Sequence, residues 1–243
     1  MSDSASILPL CVDGLTFEAD GKRLLDGVSF ALPKGGVTAV LGPNGAGKSL
    51  MLRLCHGLLE ATGGTVHWAQ GHLAGPMAGN AKRHAMVLQK PVMLRRSVRA
   101  NIAHTLAAVG AADAPTRMEA ALARFGLSLL ATRPARLLSG GEQQRLAIAR
   151  AWALSPEVML LDEPSSQLDP GATRQIEQLI AGLADEGMTI LMSTHDLGQA
   201  RRLSQRILFL HQGRLVEDKS TEAFFAAPSS PEARRFMAGD LLW

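Results

Sequence analysis

The sequence predicts an α/β fold: a sheet of buried strands covered by helices, with an antiparallel β subdomain and a helical lobe inserted into the chain. Three observations carry this expectation. Val37-Thr38-Ala39-Val40-Leu41 reads as a buried strand and runs straight into a glycine-rich turn and a helix. A second apolar run, Val158-Met159-Leu160-Leu161, ends on two acids. Between them, from about Lys90 to Leu154, the chain becomes alanine-rich and helical in character. The 243 residues suffice for a substantial core. The expected division is a core with its β subdomain over 1–89 and 155–220, the helical lobe over 90–154 and a tail over 221–243.

Val28, Phe30 and Leu32 alternate with Ser29 and Ala31, as in an antiparallel strand with one buried face, and Pro33-Lys34-Gly35-Gly36 then turns the chain. The turn after Leu41 opens a helix over about Gly47 to Leu58. Gly63-Gly64 leads into a short strand from Thr65 to Trp68, Gly71 to Asn80 is loop-like, and Met86-Val87-Leu88 is a strand ending at Gln89. In the helical stretch Ser97 caps a helix running toward Val109, and Thr116-Arg117-Met118-Glu119 has the form of a capping box, with Gly126 closing that helix. Strand and helix then alternate: Val158 to Asp162, a helix from about Gly171 to Asp185, and a strand from Thr189 to Ser193. Ile176, Leu179, Ile180 and Leu183 form the stripe of a helix lying on a sheet. Ile207 to Val216 is a hairpin turning at Gln212-Gly213, and Ser230-Pro231 opens a last short helix.

Composition excludes some functions. Formal net charge is +3, small and scattered, so no nucleic-acid partner is expected. Cys11 and Cys55 form no metal-binding spacing and suit a reducing compartment, and Leu52, Leu54 and Leu58 place Cys55 in a core. Met-Ser-Asp-Ser-Ala-Ser offers no basic region before an apolar one, so no signal peptide is expected. No apolar run approaches the roughly 18 residues that span a bilayer.

The chemistry starts at Gly42-Pro43-Asn44-Gly45-Ala46-Gly47-Lys48-Ser49, which has the form G-x-x-x-x-G-K-S. A polyphosphate packs several negative charges into a small volume, so its site needs many donors and little side-chain bulk. Glycines let successive backbone N–H groups point at one centre, the start of a helix adds its positive dipole end, and Lys48 brings a full charge. Ser49 offers a hydroxyl to Mg²⁺, so the expected ligands are a nucleoside triphosphate and magnesium. At the end of the Val158 strand, Asp162 is placed to hold magnesium through its water shell and Glu163 to polarise an attacking water. Leu138-Ser139-Gly140-Gly141-Glu142 holds a second S-x-x-E capping box, whose glycines leave the first N–H groups of a helix bare for an anion. Taken alone it is also an ordinary helix start.

The order Gly42–Ser49, Gln89, Leu138–Glu142, Val158–Glu163, Ser166-Gln167-Leu168-Asp169 and His195 resembles the ATP-binding cassette ATPases over roughly residues 8 to 220. The resemblance implies a P-loop NTPase core with an α-helical signature subdomain, and two cassettes packed head to tail as a homodimer on ATP binding. It implies that Lys48 and Ser49 serve one ATP while Ser139, Gly140 and Gly141 serve the partner's γ-phosphate. It further implies that Gln89 reaches Mg²⁺ and the attacking water, that Asp169 links the two sites, and that His195 contacts the γ-phosphate. Two departures stand out. The aromatic residue that the family often stacks on adenine falls near Ala19, while Phe17, by alternation, turns to the core. Glu142 replaces the commoner glutamine and is expected to fold back on the cap.

A cassette with no membrane span is similar to the separate ATPase subunit of a bacterial importer. Such a subunit works beneath integral-membrane permease subunits on the cytoplasmic face of the inner membrane, and a periplasmic or extracellular solute-binding protein acts indirectly. Gln89 to Val98 resembles the tungstate, molybdate and phosphate importers. An exporter ATPase and a soluble, non-transport cassette are the alternatives. Lys90 to Ser97 is the expected joint to the permease, with Val92, Met93 and Leu94 as an exposed apolar patch or a satellite core.

Overall fold

The computed structural model describes residues 6–69, 72–73 and 83–240. Two sheets organise it. The first is antiparallel in order β2-β1-β4-β5, formed by Leu10–Ala19 (β1), Lys22–Leu32 (β2), Gly63–Trp68 (β4) and His72–Leu73 (β5). Apart from β5, the loop expected over Gly71 to Asn80 lies outside the described residues. The second sheet runs β10-β9-β3-β8-β7-β6 through Val37–Leu41 (β3), His84–Val87 (β6), Val158–Asp162 (β7), Thr189–Thr194 (β8), Arg206–His211 (β9) and Arg214–Ser220 (β10). Its inner strands are parallel and only the β9–β10 hairpin is antiparallel.

Both faces of this sheet are buried, which is why β3, β7 and β8 read as unbroken apolar runs rather than alternating ones. Met159, Leu161, Ile190 and Met192 face one core, shared with the helices Val98–Ala108 (α2), Ala114–Arg124 (α3), Gly140–Ala153 (α4) and Pro170–Asp185 (α5). Val158, Leu160 and Leu191 point the other way, into a core shared with Lys48–His56 (α1) and the antiparallel sheet. A third cluster joins Ala39, Leu41, Ile207 and Phe209 to Leu197–Leu203 (α6), Thr221–Ala226 (α7) and Pro231–Met237 (α8). Cys55 is fully buried, and burial pushes its thiol up to about 12.

Caps place the helices. Ser97 accepts from the Ala100 N–H at 3.2 Å at the start of α2, and Ser230 accepts from the Ala233 N–H at 3.1 Å at the start of α8. The capping box expected at Thr116 does not form. Helix α3 begins two residues earlier at Ala114, after Asp113 and with Pro115 in its first turn, because proline's fixed φ suits that position. In the segment after Gln89 the satellite-core alternative holds for Met93. Met93 is 6% exposed and belongs to the core with Val98 and Ile102, and Leu94 is half-buried. Arg136 donates to the Met93 carbonyl and Arg150 to that of Val92, so the segment is tied down, and Val92 alone of the three is exposed.

Candidate functional site

Parallel pairing of β3 with β8 and of β8 with β7 sets three strand ends side by side. Leu41 is in register with Thr194, and Asp162 with Ser193. The segments leaving these ends carry the glycine turn, Glu163 and His195, the arrangement that gives open α/β sheets their ligand crevice.

The turn is glycine where neighbouring atoms crowd it. A Cβ on Gly42 would stand 2.1 Å from the Leu210 carbonyl oxygen. One on Gly47, the residue before α1 with φ +101°, would stand 2.7 Å from Leu25 Cδ2. No side chain caps α1, so its first N–H groups face the turn. Lys48 is 5% exposed; its Nζ donates to the carbonyls of Gly42 at 2.8 Å and Pro43 at 2.9 Å and lies 3.5 Å from Glu163 Oε1. Burial pushes its ammonium below the ordinary value, and the carboxylates of Glu163 and Asp162 oppose that.

Three cleft groups converge on the Glu163 carboxylate: Lys48, His195 with Nδ1 3.2 Å from Oε1, and Gln89 with Nε2 donating to Oε2 at 3.1 Å. Gln89 also donates to Ser166 Oγ at 3.3 Å. Glu163 has φ +44°, a left-handed conformation uncommon outside glycine. Its N–H is held by both the carbonyl and the hydroxyl of Ser193, at 3.2 and 3.0 Å. Asp162 Oδ1 accepts from Ser49 Oγ at 2.7 Å and from Ser193 Oγ at 2.8 Å. Among the described residues no three His, Cys, Asp or Glu side chains stand together as a metal cage. Ser49, Asp162 and the Gln89 amide oxygen are hard oxygen donors, a set that fits Mg²⁺ held mainly by substrate phosphates and water.

These groups wall a cleft of about 650 Å³ that Asn44, Gly45, Gly47, Lys48, Ser49, Gln89, Glu163 and His195 all reach. Gly42, Pro43 and Ala46 are not among the lining residues, Ala46 being buried. Leu24, Leu50, Arg53, Ser166 and Gln167 also line the cleft, and Ser193 braces it from beneath. Sequence reasoning did not place these six as site residues. A hydroxyl at the carboxyl end of an apolar strand was the available signal for Ser193, and the motif Ser166-Gln167-Leu168-Asp169 that for Ser166 and Gln167; Leu24, Leu50 and Arg53 depend on tertiary packing. Ala19 is not among the residues reaching the cleft, and Phe17 packs against the core beneath the antiparallel sheet, as its alternation predicted.

Ser139, Gly140 and Gly141 do not join this constellation. Ser139 Oγ accepts from the Glu142 N–H at 3.3 Å while Glu142 Oε2 accepts from the Ser139 N–H at 2.8 Å, a complete capping box at the exposed start of α4. That N–H lowers the Glu142 carboxyl below its usual range. A Cβ on Gly141 would stand 2.8 Å from the Ala172 Cβ, so glycine there permits close packing of α4 on the start of α5. Asp169 is the N-cap of α5, its Oδ1 accepting from Gly171 and Ala172, both at 2.9 Å.

A phosphate-cradling turn after one parallel strand, with paired acids at the end of another that β8 separates from it, defines a P-loop nucleoside triphosphatase. The family model described as ABC transporter matches residues 25–166. The chain therefore belongs to the ABC transporter family, as an ATPase whose hydrolysis of ATP is coupled to transport. A phosphate import ATP-binding protein, PstB 2 of Natronomonas pharaonis, is 35% identical over 96% of this chain and 88% of its own. PstB 2 of Mycobacterium tuberculosis is 38% identical over 93% and 86%. The methionine import ATP-binding protein MetN of Caulobacter vibrioides is 40% identical over 91% of this chain and 69% of its own. Among solved structures, an ATP-binding subunit of an ABC transporter superposes with a TM-score of 0.82 at 25% identity, covering 96% of this chain and 99% of that one. The cbiO1 protein of Clostridium perfringens, part of the transporter complex cbiONQ, gives 0.77 at 27% identity over 98% and 96%. Among the described residues no helix is long and apolar enough to cross a membrane.

Proposed function

We propose that this protein is the ATP-hydrolysing subunit of a bacterial importer for an oxyanion, acting as a head-to-tail homodimer beneath separate permease subunits on the cytoplasmic face of the membrane. The observation that carries the catalytic part is the Glu163 carboxylate held among Lys48, Gln89 and His195 beside the phosphate turn. ATP brings its triphosphate to the N–H groups of Gly42 through Ser49, and Lys48 exchanges the Gly42 and Pro43 carbonyls for phosphate oxygens. Ser49, Asp162 and Gln89 would hold Mg²⁺, which when bound neutralises charge on the β- and γ-phosphates. Glu163 takes the proton of a water that attacks the γ-phosphorus, the β–γ bridging oxygen leaves with ADP, and His195 contacts the γ-phosphate.

Ser139, Gly140 and Gly141 of a second copy close over that phosphate, and Asp169 stands between the two sites. This is supported by the exposed cap and bare N–H groups at the start of α4, which lie outside the cleft formed within one chain. The units 1–89 with 155–220, 90–154 and 221–243 are assigned as core, signature lobe and tail. Val92, with Arg95 and Arg96 exposed beside it, is the contact to the permease. The oxyanion assignment is supported by the likeness to phosphate import subunits; tungstate and molybdate belong to the same chemical class. The methionine import relative favours a second reading, an amino-acid importer. Uptake of phosphate against methionine by the complex built with the neighbouring permease genes separates the two.

The catalytic assignment is tested by Glu163→Gln. Turnover should fall about 10²- to 10⁴-fold, the usual cost of a lost general base, while titration calorimetry shows ATP still binding. Light scattering should show that variant dimerising only with ATP. Near-normal turnover removes Glu163 from the mechanism, and a mass indifferent to nucleotide removes the sandwich.

A further inference from the structure

Outside the cleft a connected buried polar cluster joins α5, α6 and the loop after Glu163. Glu177 on α5 is 9% exposed and Gln199 on α6 is 3% exposed, so neither is an ordinary surface group. Arg202 meets the Glu177 carboxylate with two bonds, Nε at 3.0 Å and Nη2 at 2.7 Å. Gln199 Nε2 donates to Ser165 Oγ at 2.5 Å and to Glu177 Oε1 at 3.4 Å. An amide nitrogen has two hydrogens, and here both find acceptors. A flipped amide would set its oxygen against the carboxylate, so Glu177 fixes the orientation of Gln199. The Arg202 guanidinium, held well up by Glu177, compensates the buried charge.

The ends of this cluster lie next to the chemistry. Ser165 is two residues beyond Glu163, in a stretch where Glu163 at φ +44° and Gln167 at φ +67° both adopt left-handed backbone. Such conformations persist only where the surroundings over-determine them. Helix α6 starts directly after His195 and Asp196, and Asp196 accepts the Gln199 N–H at 2.9 Å. Gln199 is therefore tied through its backbone to the segment that carries His195 and through its side chain to the loop that carries Glu163.

We propose that Gln199, oriented by Glu177 and Arg202, is a positioning residue that keeps His195 and the Glu163 carboxylate in contact by clamping their two segments together. It rests on the catalytic assignment of Glu163 and His195 above. The side chain touches neither nucleotide nor water in this role, so its loss lowers the rate of the chemical step and leaves ATP binding alone.

The test uses the full-length protein and four variants: Gln199→Leu, Ser165→Ala, His195→Ala and the Gln199→Leu/His195→Ala pair. Gln199→Leu and Ser165→Ala should each lower kcat about tenfold with KM for ATP and the melting temperature nearly unchanged. Ser165→Ala removes the same bond from the loop side without touching α6, so it decides the matter if Gln199→Leu fails to fold. In the double variant the residual turnover should match that of His195→Ala alone, because two groups acting as a unit do not add. Multiplying losses overturn the proposal, as does a kcat loss that tracks a lowered melting temperature, or unchanged kcat in both single variants. A fully active His195→Ala is a different failure: it overturns the catalytic assignment itself.

Discussion

The cleft at the end of β3 and the start of α4 are both built from glycines at a helix N-terminus, yet they differ in what surrounds them. In the cleft, Lys48 and Glu163 are buried, and the polar groups lean on distant chain segments: Ser49 on Asp162, Gln89 on Glu163, His195 on Glu163. At α4 the polar groups close on themselves, exposed Ser139 with half-buried Glu142. One gathers its groups from distant segments of a single chain. The other is a capped helix start that lies outside the cleft, an arrangement that suits the proposed half-site for a second copy.

Lysine and serine substitutions should break this contrast open most widely. Lys48→Ala removes charge-assisted bonds worth about 1.5–3 kcal/mol each. ATP affinity of the single chain should drop about 10²-fold, read by titration calorimetry. Ser139→Ala leaves that affinity intact, costs about 1 kcal/mol of stability through the lost cap, and lowers ATP-driven dimerisation of Glu163→Gln by tenfold or more. Equal losses of ATP affinity in the two variants would make α4 part of the same intrachain site.

Acid should separate the regions by stability rather than binding. The cleft stands on α1, whose last residue His56 meets His84 edge-on at 4.8 Å, and His84 stacks on Trp68 at 4.6 Å. Burial lowers both imidazoles, His84 from 6.5 to about 4. The unfolded chain therefore binds a proton near pH 6.5 that the folded chain refuses until about pH 4. Stability is full above that window and lost as pH falls through it, by about 3 kcal/mol for His84 at roughly 1.36 kcal/mol per unit. The melting temperature should fall between pH 7 and pH 4.5, and His84→Phe, which keeps the stacking, should flatten the fall. An equal fall in the variant assigns the acid sensitivity elsewhere.

How much of this was legible in the sequence follows the same divide. Strands β3 and β7 and the turn after Leu41 declare themselves because burial on both faces leaves an apolar run and a phosphate site leaves glycines. The capping box at Ser139 and the fold-back of Glu142 are local in the chain and were readable for that reason. The box at Thr116 had the same spelling and does not form, since Asp113 and Pro115 open the helix first. Met93 read equally well as exposed patch or satellite core because exposed arginines surround it, and only the tertiary cluster with Val98 and Ile102 decides for the core. Leu24 and Gln199 act through contacts with residues far away in the chain, which no local pattern announces.

The smallest expected effect is the sharpest on the half-site, and it concerns Glu142. Its carboxylate accepts the Ser139 N–H and is lowered below its usual range by that bond, so it is ionised at neutral pH. The charge suits the positive end of α4, a stabilisation of about 0.3–1 kcal/mol. It also faces the direction from which, in the proposed sandwich, the γ-phosphate of a partner's ATP arrives. Glu142→Gln keeps an acceptor oxygen for the Ser139 N–H while removing the charge. The melting temperature should therefore fall slightly, while the Glu163→Gln background dimerises at severalfold lower ATP. A variant that is less stable and also dimerises less readily would mean that Glu142 serves the cap alone and that no phosphate comes near it.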